Sequence, residues 1–429
     1  MKKNLITLGC LLLTFNGNLS ALTLEEAISE SLNNNLTIKM ENSTLGIAEE
    51  NLLQSKVEFL PSISLSGSIS ESETSGITTQ DGIAGSEYEL SPSSKSIILS
   101  QTIFNGFGRA YSLKSSKSEL ELQKLNKFKT EQDITLETIE AYFNILVSEK
   151  TLKSYEDNFK TVSERFSSTK KEFEVGLSSK TDVAQSEAYY NAAKIDMLNA
   201  KISHQNIMNA FNNLVGAEAR NLSFSSINGF LPESSTEFNE LVINNNLSIK
   251  MAQSNLDIKS SDVGIARSAY FPQVNLTATK TELDEFSSTV DEITNEEIEA
   301  TISWPIFNKG KSSSTVRQAE KLKNRYMILL QKTQQDTLTL ASNIWQKYSI
   351  SKDTLDAANL SYLASQTAFE GTKIEQEVGE RTVLDILNAR QSLLNAEIKL
   401  FNEQKNQEVI KAQVMYLAGI LTLENIRGI

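Results

Sequence analysis

Residues 62–70 read SISLSGSIS, and the two faces of that stretch differ in kind. Ile63, Leu65 and Ile69 fall on one side of an extended chain and serines on the other, the period of two that marks a strand. The return segment repeats the pattern with Ile97, Leu99 and Ile103. Val274, Leu276 and Ala278, then Ile298, Ala300, Ile302, Trp304 and Ile306, alternate in the same way. Strands are therefore expected at about 61–71, 95–105, 272–283 and 297–307. Each is about ten residues long, which is what a tilted strand needs to cross a bilayer. A half-buried soluble sheet has the same period. The joining segments, 71–94 and 284–297, favour the membrane, because they are long, polar and rich in Ser, Thr and Glu, as the outward loops of membrane barrels are.

The chain of 429 residues opens with the features of an export signal. Lys2 and Lys3 precede an apolar run from Leu5 to Phe15, followed by the small residues Ser20 and Ala21. Residues 1–21 are read as a signal peptide, with cleavage after Ala21. No later segment approaches the ~20 consecutive apolar residues of a spanning helix, so entry into a membrane has to use strands. The chain is acidic, with 54 Asp+Glu against 41 Lys+Arg, which argues against a nucleic-acid partner. Its one cysteine, Cys10, lies inside the signal and its one histidine is His204. Disulfides, thiolate metal sites and the usual zinc and Ser-His-Asp chemistries are thereby excluded from the expectation, and no metal or cofactor is anticipated.

An internal repeat organises the rest. NNNLTIKM (33–40) returns as NNNLSIKM (244–251), FLPSISL (59–65) as YFPQVNL (270–276), and IFNGFGR (103–109) resembles IFNKGK (306–311). The chain divides into a first repeat, 22–230, and a second, 231–429. Each runs helix, two strands, long helix, glycine break, helix. Between Arg109 and Phe173 there is no Gly or Pro, a span of roughly 98 Å if wholly helical. Leu152, Tyr155, Phe159, Val162, Phe166, Thr169 and Phe173 keep a 3-4 spacing along it, as do Leu384, Leu387, Gln391, Leu394, Ile398 and Phe401 after the second break. Such seams pack as coiled coils. Four strands cannot close a membrane barrel, and open edges in lipid would leave backbone groups unsatisfied at several kcal/mol each. Other copies of the chain are expected to complete the sheet.

The glycine breaks are VGLSSKTDVAQSE (175–187) and VGERTVLDILNARQ (378–391), which share a Gly-x5-Asp spacing. Gly176 and Gly379 suit the left-handed residue that stops a helix, and tip turns are expected at about 174–180 and 377–383. Ser179 with Asp182 and Thr382 with Asp385 have the spacing of capping boxes that restart one. Capping leaves Arg381 unexplained, since a cation near a helix N-terminus is mildly unfavourable. Gly310-Lys311-Ser312 resembles the end of a phosphate loop, but Pro305 stands where its first glycine belongs. His204 reads as a solvated or interface residue. An enzyme is not expected.

The double repeat, the FLP and YFP strand openings and VGERTVLDILNARQ together resemble the TolC family of bacterial outer-membrane factors, over essentially the whole mature chain. The resemblance implies an α+β membrane protein with long coiled-coil hairpins and four β-strands per chain. As a homotrimer it would form a 12-stranded β-barrel in outer-membrane lipid on a 12-helix periplasmic tunnel. It implies passive export, with a periplasmic adaptor and an inner-membrane transporter docking at the tunnel tip. By position, Gly176, Gly379, Val175, Val378 and Leu177 would form that tip, where an adaptor packs. Arg381 matches a residue that helps hold the tip closed, Thr181 and Asp182 match its contacts on the neighbouring coil, and Asp385 matches an acid of a narrowing ring. The sequence departs from the family at Asn388, where a second acid is expected, and at Gln376, where a tyrosine takes part in closure. The alternatives are a periplasmic coiled-coil adaptor or scaffold, which would not need four strands of bilayer length, and an outer-membrane adhesin or receptor that binds partners through the 71–94 loop.

Overall fold

The computed structural model describes residues 22–427 except Thr79, Ser86 and Ser288, so the expected signal peptide lies outside the described residues. Two short helices open each repeat. In the first, α1 (Leu24–Asn34) and α2 (Leu36–Val57) bend at Asn35, whose extended backbone ends one helix while its side chain accepts from the Thr37 amide at 2.8 Å to start the next. The NNNLTIKM repeat encodes this joint. Its counterpart Asn246 accepts from the Ser248 amide at 3.0 Å and donates to the Leu417 carbonyl at 3.0 Å.

From α2 the chain enters β1 (Ser62–Ile69). A small hairpin of β2 (Ser72–Thr74) and β3 (Tyr88–Leu90) intervenes before β4 (Ser93–Asn105) returns it. Then come α3 (Gly108–Glu174) and α4 (Lys180–Val215). The second repeat retraces this course through α5 (Ser235–Asn245), α6 (Leu247–Ser268), β5 (Gln273–Ser287), β6 (Val290–Ser303), α7 (Lys311–Glu377) and α8 (Val383–Leu417). Helices α3 and α7 are each 67 residues long, roughly 100 Å. Their equal length is the clearest structural trace of the repeat.

The four long strands form one antiparallel sheet in the order β1-β4-β5-β6, with β1 and β6 as free edges. Its register sorts the side chains as expected. Ile63, Leu99, Ala278 and Ile298 lie in one row across the sheet, and Leu276 with Ala300 and Val274 with Ile302 extend that face. The other face carries Ser62, Ser100, Thr277 and Glu299 in one row and Ser66, Ser96, Thr281 and Asn295 in another. Ser96 and Thr281 hydrogen-bond across it at 2.8 Å. The apolar face is unburied in one chain, with Ile69 86% and Ile298 80% exposed, as a surface meant for lipid would be.

Two boundaries differ from the sequence expectation. The last strand runs 290–303 rather than 297–307, and Trp304 and Ile306 fall beyond it. Pro305 has no N–H to give a ladder, so pairing stops before it. Trp304 instead donates its indole N–H to the Tyr270 carbonyl at 3.0 Å. Residues 284–297, expected as a loop, are mostly strand, because β5 and β6 continue to a tight turn after Ser287. Cross-strand partners hold this polar extension together: Leu283 faces Ile293, and Lys280 reaches Glu296 at 3.3 Å.

Two cores lie where α1 and α5 pack on the long helices. In the first, Ile28, Ile139, Tyr142, Phe143, Phe211 and Met415 are fully buried. The Tyr142 hydroxyl donates to the Ser223 carbonyl at 2.8 Å. In the second, Phe238, Val242, Ala341 and Val414 close around a stacked Phe238–Trp345 pair. Toward the breaks the buried line on α3 keeps Val162 and Thr169 of the expected seam but runs through Ser154 and Asn158 rather than Leu152, Tyr155 and Phe159, which are half-buried. On α8 it includes Ile386, Leu393 and Leu400 beside the expected Leu387 and Leu394, while Gln391 is exposed. Helices α3 and α8 each meet a hairpin partner and a helix of the other hairpin, so their buried stripes span two seams.

Ala278→Arg, on the apolar face, costs about 2–4 kcal/mol if the site is near the bilayer midplane and lowers the yield of folded protein in outer-membrane fractions. Thr279→Arg, one residue on and facing the other way, leaves that yield unchanged.

Candidate functional site at the helical tip

Both hairpins turn by the same backbone device. At the end of α3, Val175 leaves helical geometry and Gly176 adopts φ +78°. The Gly176 amide then reaches the Phe173 carbonyl at 3.0 Å and the Leu177 amide reaches the Glu172 carbonyl at 2.7 Å. At the end of α7, Gly379 has φ +84°, its amide bonds the Gln376 carbonyl at 3.1 Å, and the Glu380 amide bonds the Glu375 carbonyl at 2.9 Å. This pair of bonds is the Schellman closure, and it needs a residue that tolerates the left-handed region. An added Cβ at either glycine would meet nothing within 4 Å. Dihedral strain, not crowding, therefore demands glycine here.

The helices restart through the expected capping boxes. The Ser179 hydroxyl accepts from the Asp182 amide at 3.1 Å while the Asp182 carboxylate accepts from the Ser179 amide at 3.0 Å. Thr382 and Asp385 repeat this at 3.2 and 2.9 Å. In both boxes the capping hydroxyl also donates to the carboxylate, at 2.7 and 2.8 Å. Hydrogen bonds from the Ser179 hydroxyl and amide hold the Asp182 carboxyl below its ordinary value. For Asp385 the Thr382 amide and hydroxyl do the same, with the nearby Arg381 charge adding to them.

Arg381 finds its role across the glycine turn. Its Nε donates to the Glu375 carboxylate at 2.9 Å, and the Asp385 charge lies in the same field. Within one chain it is paired to its own hairpin rather than to Thr181 or Asp182. Thr181 is exposed, and Asp182 is occupied by the Ser179 box and by the Ser178 hydroxyl at 3.4 Å. Asn388 is engaged differently again: its Oδ1 accepts from the Tyr189 hydroxyl at 3.0 Å, joining α8 to α4 of the other hairpin. Sequence reasoning missed Glu375 and Tyr189, whose spacings from their partners match no local motif. It missed Arg390 too, which is buried on α8, faces Glu397 at 3.6 Å and lies over the Phe369 ring at 5.8 Å.

Behind the turns, Val162, Ala193, Ile386 and Leu387 form a small core shared by both hairpins, with Phe159, Tyr189, Tyr190 and Phe369 around it. Three apolar side chains stand bare at the extreme tip. Val175 and Val378 are each 70% exposed and Leu177 is 81% exposed. His204 sits far along α4, where its Nδ1 lies 2.8 Å from the Ser148 hydroxyl of α3, an interface residue. Among the described residues no cluster of His, Cys, Asp and Glu has the spacing to hold a metal. The tip presents these exposed apolar side chains beside the exposed charges of Lys180, Glu380 and Arg381.

Hydrogen exchange tests the capping assignment. Because both aspartates are depressed in the folded state, their contribution is complete above about pH 4, the unfolded carboxylate value, and is lost as pH falls through the folded values. Amide protection in the first turns of α4 and α8 should hold constant above that point and decline below it. Thr382→Ala should lower protection in α8 alone, by about 1 kcal/mol.

The outer membrane efflux protein family model matches residues 27–217 and 240–419, one block in each repeat. The chain is 23% identical over 412 residues to the outer membrane efflux protein BepC of Brucella suis, covering 94% of this chain and 87% of that protein. It is 22% identical to the outer membrane protein TolC of Escherichia coli over 442 residues, covering 99% and 88%. Among solved structures it resembles the Campylobacter jejuni CmeC outer membrane channel, with a TM-score of 0.84 at 20% identity, covering 93% of this chain and 86% of that one. The two repeats, the four-stranded sheet and the paired hairpins thus belong to a known architecture, and the chain is a member of the outer membrane efflux protein family.

Proposed function

We propose that three copies of the chain form one outer-membrane exit duct, which passively conducts substrates delivered by an inner-membrane transporter through a periplasmic adaptor. Membership of the efflux family makes the chain an outer-membrane channel protein. The observation that carries the assembly is the open sheet, and the resemblance to the TolC family supports three copies. Strands β1 and β6 end it with free ladder edges, and its apolar face is unburied, most openly at Ile63, Leu65, Ile69, Ile298 and Ile302. Pairing β6 of each copy with β1 of the next gives twelve strands and no edge, and lipid covers the apolar face. The long hairpins then stand side by side beneath the barrel as a tunnel whose length is set by α3 and α7.

The tip is the gate in this reading. Val175, Leu177 and Val378 supply an exposed apolar rim on which an adaptor packs, turned by Gly176 and Gly379. Asp385 of each copy contributes one acid to a narrow mouth, where rings of like charge select by sign. Arg381 holds the last turn of α7 to the start of α8 through Glu375, and the family resemblance implies that in an assembled tip Thr181 and Asp182 of an adjoining coil become its contacts. Asn388 gives no second acid ring; its bond to Tyr189 ties the two hairpins instead.

Extraction of outer membranes should yield a heat-resistant trimer; a soluble periplasmic monomer would overturn the assembly. Arg381→Ser should raise single-channel conductance in planar bilayers, and an unchanged conductance would remove its part in closure. Asp385→Ala should weaken block by polyvalent cations added at the tip, while full retention of block would leave that residue a helix cap alone.

A further inference from the structure

The charges of the sheet are divided between its faces with a regularity that hydrophobic sorting alone does not require. Both of its lysines, Lys95 and Lys280, stand on the apolar face, in line with Gly67 and Ile97. Lys280 is neutralised there by Glu282 at 3.8 Å and Glu296 at 3.3 Å. The Ser/Thr face carries Glu297 opposite Thr279 and Glu299 opposite Thr277, with no lysine or arginine among its described residues. Both carboxylates are exposed, and neither has an ion-pair partner among the described residues. A neighbouring copy does not change this. The strand that would pair with β6 is another β1, whose matching face is Ser62, Ser64, Ser66 and Ser68.

A second feature points the same way. Further along the strands and in the segments that join them, residues 71–94 carry Glu71, Glu73, Asp81, Glu87 and Glu89, and residues 284–292 carry Asp284, Glu285, Asp291 and Glu292; neither stretch has a lysine or arginine. Cargo leaving the duct passes the paired carboxylates and then a wholly acidic rim.

We infer that Glu297 and Glu299 make the barrel a second charge-selective stage, separate from the helical tip, which favours cationic and neutral cargo over polyanions. The inference rests on the closed-barrel reading. Twelve strands spaced ~4.8 Å apart and tilted as barrel strands are enclose a backbone radius of about 12 Å. Glutamates reaching inward stand about 8 Å from the axis, a distance no greater than the Debye length of about 8 Å at physiological salt. The two levels lie ~7 Å apart along the strand, so their potentials overlap. Their field therefore extends to the centre of the bore, where fixed charge of one sign enriches the opposite ion.

The test is the reversal potential of the full-length channel in a planar bilayer under a steep KCl gradient, in an Asp385→Asn background so that the tip acid does not mask the barrel. That parent should remain cation-preferring. Adding Glu297→Gln and Glu299→Gln should lower its K+/Cl− permeability ratio by about threefold or more, the concentration change that roughly one kT of potential produces. Adding Glu282→Gln and Glu296→Gln, which removes the same charge from the opposite face, should leave the ratio where it was. An unchanged ratio in the first variant, or an equal fall in both, would overturn the inference while leaving the channel intact. A parent that forms no conducting pore would overturn the closed barrel and this inference with it.

Discussion

Everything above the helices follows from the backbone hydrogen bonds at the two edges of a four-stranded sheet. In water an open edge is a liability for aggregation; in lipid it strands a row of N–H and C=O groups with no partner of any kind. One chain has strands β1 and β6 at its edges and cannot pair them with each other across four strands. The remaining solution is another copy of the same edges, and a head-to-tail contact of that kind closes into a ring when its rotation permits. The acidic chain can thus enter a membrane although no helix among its described residues is long and apolar enough to cross one.

The same economy governs the helical end. A helix of 67 residues has to stop, reverse and restart within a few residues, and each step leaves backbone groups to satisfy. The Schellman bonds at Gly176 and Gly379 take the last carbonyls, and the Ser179 and Thr382 boxes take the first amides. With the turn self-sufficient, side chains around it are free for other work. Arg381 crosses the turn to Glu375, Asn388 meets Tyr189 of the other hairpin, and Val175, Leu177 and Val378 remain uncovered. The two hairpins use one backbone solution and differ in these added groups, Arg381 having Ser178 as its counterpart. That asymmetry lets equivalent turns serve different positions in an assembly.

Much of this was legible in order along the chain, because its determinants are local. Strand faces follow from a period of two, so Ile63, Leu65 and Ile69 could be assigned without neighbours. The helix stop and restart follow from Gly-x5-Asp. Proline could have placed the end of β6, since Pro305 breaks the ladder that Trp304 and Ile306 would otherwise continue. What was not legible depends on partners distant in sequence. Glu375 lies six residues before Arg381 across a non-helical turn, and Tyr189 lies in the other half of the chain from Asn388. The buried line through Ser154 and Asn158 was missed because small polar residues read as a solvated face until a second helix is laid over them.

The sequence by itself determined the repeat, the four strands and their faces, the length of the hairpins and the residues that turn them. Each of these is set by periodicity or by a dihedral requirement within a few residues. Only the tertiary structure decided which residues meet between the hairpins, that the polar extension of β5 and β6 is strand rather than loop, and that Lys280 stands beside Glu296 of the next strand. Register between strands and contact between helices depend on which segments lie side by side. That choice is made by packing over the whole chain, and no short window of sequence contains it.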